Sequence, residues 1–173
     1  MKIFAAAVLV LACAYGALLL FARLFAERII FPAPPASYSD DGDIIYLGLP
    51  GGGKAAALWI PAKDSKVCAI YSHGNGEDLG EIRPLLEEYA RRGISVFAYD
   101  YPGYGLSSGK PSIKGLEESS EAAYRHVSEE LGFEDSDIAV VGYSLGSAAA
   151  CEIASRHPGI RCAVIIGGFS KAV

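Results

Sequence analysis

Histidine, methionine and tryptophan are scarce in this chain, at three, one and one among 173 residues. Bases are in the minority as well, 15 Lys and Arg against 20 Asp and Glu, and they form no stripe. The electrostatic footprint of a nucleic-acid binder is therefore missing, and no nucleic-acid partner is expected. Cysteine is limited to Cys13, Cys68, Cys151 and Cys162, none at metal-ligand spacing. A zinc site or a disulfide framework would need clustered cysteines or accompanying histidines, so neither is expected, and no metal or cofactor is called for. Cys68, Cys151 and Cys162 fall in segments that read as buried strand or helix, where small buried thiols are the expected role. They lean toward a reducing compartment, hence a cytoplasmic side, for the globular part. Internal repeats and low-complexity tracts are also missing.

Charge is absent from Ile3 to Ala22, twenty residues bracketed by Lys2 and Arg23. As a helix rising ~1.5 Å per residue they span roughly 30 Å, the thickness of a bilayer core. Cleavage at Ala12-Cys13-Ala14, or at Cys13 as a lipoprotein signal, would cut this run midway, because it continues through Ala17-Leu18-Leu19-Leu20-Phe21. A retained single-pass membrane anchor over residues 1–28 is expected. Lys2 on one side against Arg23 and Arg28 on the other leaves its orientation open. Phe31-Pro32-Ala33-Pro34-Pro35 cannot continue a helix and predicts a short stiff linker, residues 29–42, before a globular portion over 43–173.

In that portion, Asp43 to Leu47 and Ala55 to Ile60 read as a hairpin around Pro50-Gly51-Gly52-Gly53. Strand and helix then alternate. Val67 to Ser72 is an apolar strand. Glu81 to Arg92 is a helix carrying Ile82, Leu85, Leu86 and Tyr89, stopped by Gly93. Ile94 to Tyr99 is a strand, and Ser112 caps a helix running to about Leu131 with Ile113, Leu116, Ala123 and Val127 on one face. The strand Ile138 to Val141, a helix from about Leu145 to His157-Pro158, and a last buried strand, Cys162 to Ile166, complete the series. Repeated strand-helix units predict an α/β fold with a mostly parallel sheet and helices on both faces.

Gly142-Tyr143-Ser144-Leu145-Gly146 is a G-x-S-x-G between an apolar strand and an alanine-rich helix. Such a turn needs glycines where Cβ atoms would clash, and it lifts the serine hydroxyl above the sheet at a helix N-terminus. Ser144 is the candidate nucleophile, with Gly142 and Gly146 as supporting residues. A tight turn with an incidental serine is the blander reading and fits the flanking elements less well. His73-Gly74-Asn75-Gly76 directly follows the third strand, where a backbone N–H can be presented to a developing oxyanion beside that of Leu145. His73, ahead of that donor, reads as a residue that holds the loop by a hydrogen bond rather than as a general base. Gly48-Leu49-Pro50-Gly51-Gly52-Gly53-Lys54-Ala55 matches the spacing of a phosphate-binding loop, but Ala55 lacks the required hydroxyl and a strand follows instead of a helix. A hairpin turn is expected there.

These motifs, taken with Tyr99-Asp100-Tyr101-Pro102-Gly103-Tyr104-Gly105 and Ser108-Gly109-Lys110-Pro111-Ser112, resemble the α/β-hydrolase superfamily in its Bem46-like, membrane-anchored branch. The resemblance covers about Glu27 to Ile166. It implies a serine hydrolase with Ser144 as nucleophile and the amides of Asn75 and Leu145 as oxyanion hole, with His73 and Gly74 supporting them. The implied substrate is a small acyl ester, a thioester or a lipid-like molecule. Asp100 is expected to be structural.

Such enzymes place the triad acid and histidine on loops after later strands. Gly167-Gly168-Phe169-Ser170-Lys171-Ala172-Val173 contain neither. His126 on a polar helix face and His157 at a helix end read as surface residues. The expectation is that the 173 residues are nearly inert alone, with an apolar strand left at the sheet edge. Two readings follow: a serine hydrolase whose sequence here is incomplete, and a non-catalytic, membrane-tethered binding protein that uses the same pocket.

Overall fold

Lys2–Ile30 wind into one helix, α1, in the computed structural model, which describes residues 2–168. The chain divides at Pro32 into two compact units. In the first, α1 is long and apolar enough to cross a membrane, about 43 Å at ~1.5 Å per residue. Its apolar side chains are exposed on every side, Leu9, Val10, Leu18 and Leu24 among them. By length and composition it is a candidate membrane span. It stops before Phe31-Pro32, where the proline ring pushes its predecessor out of the helical region.

The second unit is built on six strands: β1 (Ile44–Gly48), β2 (Lys54–Ile60), β3 (Cys68–Ser72), β4 (Ser95–Tyr99), β5 (Ile138–Tyr143) and β6 (Cys162–Ile166). Their order in the sheet is β1-β2-β4-β3-β5-β6. β1 and β2 form the expected antiparallel hairpin, with Gly51 and Gly52 at φ +87° and +86° and Leu49 N donating to Gly53 O at 2.8 Å. Lys54, which mimicked a phosphate-binding lysine, places its Nζ 3.7 Å from the centre of the Tyr46 ring. β4, β3, β5 and β6 are parallel.

The sheet is buried on both faces at its centre. Helix α2 (Leu79–Arg91) packs Leu79, Ile82 and Leu86 against Ala56, Leu58, Ala69, Tyr71, Val96, Ala98 and Val141. The alternate residues of the same strands, including Ala57, Ile70, Phe97 and Val140, are turned by the period of two to the other face. There α3 (Ile113–Arg125) packs on β4, and α4 (Gly146–Arg156) on β3 and β5. Leu85 and Ile113, expected on the buried faces, are 43% and 44% exposed because they lie at the margins of the two apolar stripes.

Three expectations need correction. α2 begins two residues earlier than its apolar period indicated, because the Asp78 side chain caps it by accepting from Glu81 N at 3.1 Å. The helix after Ser112 is α-helical only to Arg125 and then passes into a π turn, His126–Glu130, with Leu131 N donating to His126 O. β6 has the predicted bounds but is exposed along its whole length, and Cys151 and Cys162 are exposed too, leaving Cys68 as the buried thiol among the later three. The cause is position: β6 is the sheet edge among the described residues, while Cys151 faces outward on α4.

Candidate active site

Two turns meet at one edge of the sheet because β3 and β5 are parallel neighbours, with Ser72 in register with Gly142. Both strands point their carboxyl ends the same way, so residues 73–76 and 143–146 emerge side by side. In open α/β sheets this is where binding crevices form. The fit between the turns is backbone against backbone. A Cβ on Gly146 would overlap Ser72 O and lie 2.7 Å from His73 O, and a Cβ on Gly142 would collide with Gly146 O and lie 2.7 Å from Ser147 Cα. A Cβ on Gly74 would meet the Tyr143 ring at 3.1 and 3.2 Å. A Cβ on Gly76 would meet nothing within 4 Å.

Ser144 sits at φ +49°, in the left-handed region that a non-glycine residue adopts at a cost of roughly 1–3 kcal/mol. Its N–H donates to Ile166 O at 2.8 Å and its carbonyl accepts from Ser147 N at 3.0 Å, so β6 and the first turn of α4 hold the strained residue. The side chain is half-buried rather than sunk in the core. Leu145 is buried at the N-terminus of α4, whose partial positive end is directed at this turn.

The turn after β3 is held by its carbonyls. His73 O accepts from Tyr101 OH at 2.7 Å, Gly74 O from His73 Nδ1 at 2.8 Å, and Asn75 O from Tyr104 OH at 3.1 Å. Because a carbonyl oxygen only accepts, Nδ1 of His73 carries the proton. Gly74 N donates to Glu77 Oε2 at 2.7 Å. His73 itself is fully buried, with the Tyr101 and Tyr104 rings centred 4.4 and 5.6 Å away. Its Nε2 lies 3.2 Å from Asp100 Oδ1, off the line that a hydrogen bond needs. Asp100, also fully buried, accepts from Leu79 N at 3.0 Å and from Tyr38 OH at 2.5 Å. Burial, reinforced by the Asp100 carboxylate, raises the Tyr38 hydroxyl far above its ordinary range. Burial likewise raises Tyr101 well above 10 and Tyr104 to about 12. All these hydroxyls stay protonated and donate.

The chain's three histidines have partners other than Ser144. His73 is bonded through Nδ1 to Gly74 O. The His126 ring stacks on Phe97 at 5.0 Å, and His157 stacks on Tyr124 at 3.5 Å with Nε2 3.1 Å from Glu121 Oε2. The last two are half-buried ring contacts rather than the surface residues expected, because each lies against an aromatic side chain of a neighbouring element. Sequence reasoning did not single out Tyr38, Glu77 or Asp78, nor the carbonyl-holding roles of Tyr101 and Tyr104. The density of tyrosines from Tyr99 to Tyr104 was the one local signal for the latter pair.

A model of the family described as serine aminopeptidase S33 matches residues 44–172. Among curated proteins, the chain is 36% identical over 106 residues to alpha/beta hydrolase domain-containing protein 17C of Mus musculus, which is 61% of this chain and 32% of that protein. It is 37% identical over 104 residues to alpha/beta hydrolase domain-containing protein aho-3 of Caenorhabditis elegans, 60% and 31% of the two chains. The chain thus spans about a third of the length of these relatives. Among solved structures, an esterase of Pyrococcus furiosus superposes with a TM-score of 0.66 at 21% identity, over 80% of this chain and 55% of that one. An alpha-beta hydrolase from Vibrio vulnificus superposes with a TM-score of 0.58 at 23% identity, over 70% and 44%. At these identities the two structures speak for the fold alone. Family match, relatives and sheet agree: the chain belongs to the α/β-hydrolase superfamily, in the family described as serine aminopeptidase S33.

Proposed function

We propose that this hydrolase cleaves ester or thioester bonds of a small or lipid-like acyl substrate, with Ser144 as nucleophile and the amides of Asn75 and Leu145 as oxyanion donors. The observation that carries the reading is Ser144 at φ +49°, half-exposed at the head of α4 and beside the turn after β3. Strain at a single serine between a buried strand and a helix is costly, and a nucleophile that must stand above the sheet gives it a use. The substrate carbonyl would lie between the two turns. Attack by Oγ would place negative charge on the carbonyl oxygen, where fixed amide dipoles stabilise it without reorganising. In this reading α1 is a bilayer-spanning anchor, which suits an acyl substrate drawn from a membrane.

A base is the missing partner. With all three histidines on partners other than Ser144, these residues alone are expected to turn over substrate very slowly, since a serine triad stripped of its histidine loses on the order of 10⁶ in turnover, as subtilisin does. The same observation favours a second reading, a membrane-tethered protein that binds acyl ligands without cleaving them.

The experiment is fluorophosphonate labelling of the 173-residue chain in membranes washed with alkaline carbonate. Slow labelling that disappears in Ser144→Ala, on protein retained in the membrane pellet, is the expected result. Labelling confined to other residues rejects the nucleophile, rapid labelling rejects the expectation of inertness, and release into the wash rejects the anchor.

A further inference from the structure

Residues 33–42 carry no regular secondary structure, yet Ser37 and Tyr38 are fastened to the far side of the turn after β3. Ser37 N donates to Asp78 Oδ2 at 2.6 Å, and Ser37 Oγ donates to Asp78 Oδ1. Tyr38 OH donates to Asp100 Oδ2 and accepts from Leu106 N at 3.3 Å. Two glycines make room for this. A Cβ on Gly80 would collide with Ser37 Oγ and lie 2.8 Å from Tyr38 Cβ, and a Cβ on Gly105 would collide with Asp100 Oδ2 and lie 2.7 Å from Tyr38 OH.

The two carboxylates so engaged hold the loop 73–78 at its exit. Asp78 caps α2 through Glu81 N. Asp100 takes Leu79 N at the loop's end and faces His73 Nε2 at its start, and His73 in turn holds Gly74 O. Asp100 therefore holds the loop's exit by a hydrogen bond and lies against the histidine at its start without bonding it, and Tyr38 supplies the other carboxylate oxygen with a donor. A buried carboxylate oxygen stripped of its donor bears the full desolvation penalty, so Asp100 would shift or recruit water, and the loop would follow.

We propose that the Ser37–Tyr38 segment is a positioning strap for the loop that presents Gly74 and Asn75, acting through Asp78 and Asp100. The inference rests on the proposed role of that loop beside Ser144. Neither strap residue touches the reacting atoms; both fix where the loop's amides point. The stretch that follows the apolar helix is thus part of the scaffold of the site.

The test uses the full chain in detergent micelles, with Tyr38→Phe, Ser37→Ala and a control, Tyr46→Phe, which removes an exposed hydroxyl bonded to Asp40. Hydrogen exchange read by mass spectrometry is expected to rise at least tenfold in peptides covering 73–79 in Tyr38→Phe, less in Ser37→Ala, and not in the control, with β1 and β2 unchanged. Equal rises everywhere, or none at 73–79, overturn the strap. Should Tyr38→Phe fail to fold, Ser37→Ala decides by the same criterion. A second readout is the ³¹P resonance of the Ser144 phosphonate adduct, which senses hydrogen bonds to the phosphoryl oxygen. It is expected to move in both strap variants and stay fixed in the control, and a resonance unmoved in both overturns the link from strap to site. If wild-type chain forms no adduct after prolonged incubation, the nucleophile reading fails while the exchange data still decide the strap.

Discussion

Tyr99 and Tyr101 are fully buried, and burial raises both hydroxyls above the ordinary tyrosine value, with Tyr71 and Tyr104 pushed up to about 12 for the same reason. Above pH ~10 an unfolded chain releases these protons while the folded one retains them, so the unfolded state binds fewer and stability falls as pH rises. The tyrosine contribution is complete below pH ~10 and is lost as pH climbs through the folded-state values. Denaturant melts between pH 8 and 11.5 are expected to show a loss of stability that begins near pH 9, where burial keeps the Cys68 thiol protonated as well, and steepens beyond about pH 10. Tyrosinate absorbance at 295 nm should lag the titration of free tyrosine until unfolding. Stability unchanged to pH 11.5, or all ten tyrosines titrating freely in folded protein, contradicts this account.

At the scale of elements, the packing of α4 against the end of β3 depends on one missing side chain. The Cβ of Gly146→Ala would run into the backbone of Ser72 and His73, which cannot rotate aside as a side chain can. Overpacking of this kind costs about 3 kcal/mol. For a domain of this size that is a fall in melting temperature of ~6–12 °C. Gly76→Ala, with open space around it, should stay within ~0.5 kcal/mol of wild type. Thermal melts of both variants separate the two glycines, which the sequence presents as equal members of conspicuous motifs. This contrast marks what can be read from residues in a row. The elements and most strand bounds were legible because apolar periods of two and 3.6 are local, whereas the start of α2 and the end of α3 were set by a cap and a π turn, and the strand-turn-helix around Ser144 is local as well. A structural Asp100 was expected from the resemblance, but its partners, and the roles of Asp78 and Tyr38, were not legible, since the bonds linking residues 37 to 78 and 38 to 100 join segments with no shared period. Nor was the exposure of β6, because an apolar run reads the same at the centre of a sheet and at its rim.

For the molecule as a whole that rim matters most. Val164, Ile165 and Ile166 are each 42% exposed on a parallel edge strand whose outer peptide groups find no neighbouring strand among the described residues. Such an edge is a template for pairing with another chain. Residues 33–173 produced as a separate polypeptide, or the full chain in mild detergent, are expected to self-associate with rising concentration. Ile165→Lys should shift sedimentation profiles toward monomer by placing a charge on that edge. Monodisperse, cooperatively unfolding wild-type protein would count against the expectation. The pairing of β3 with β5 has a kinetic corollary. Cys68 and Ile138 are register partners about 70 residues apart, and closing a loop of that length costs on the order of 4 kcal/mol in chain entropy. The meeting of the two turns is therefore expected to come later in folding than the local hairpin and helices, which pulsed hydrogen exchange during refolding would check at residues 73–79 and 143–146.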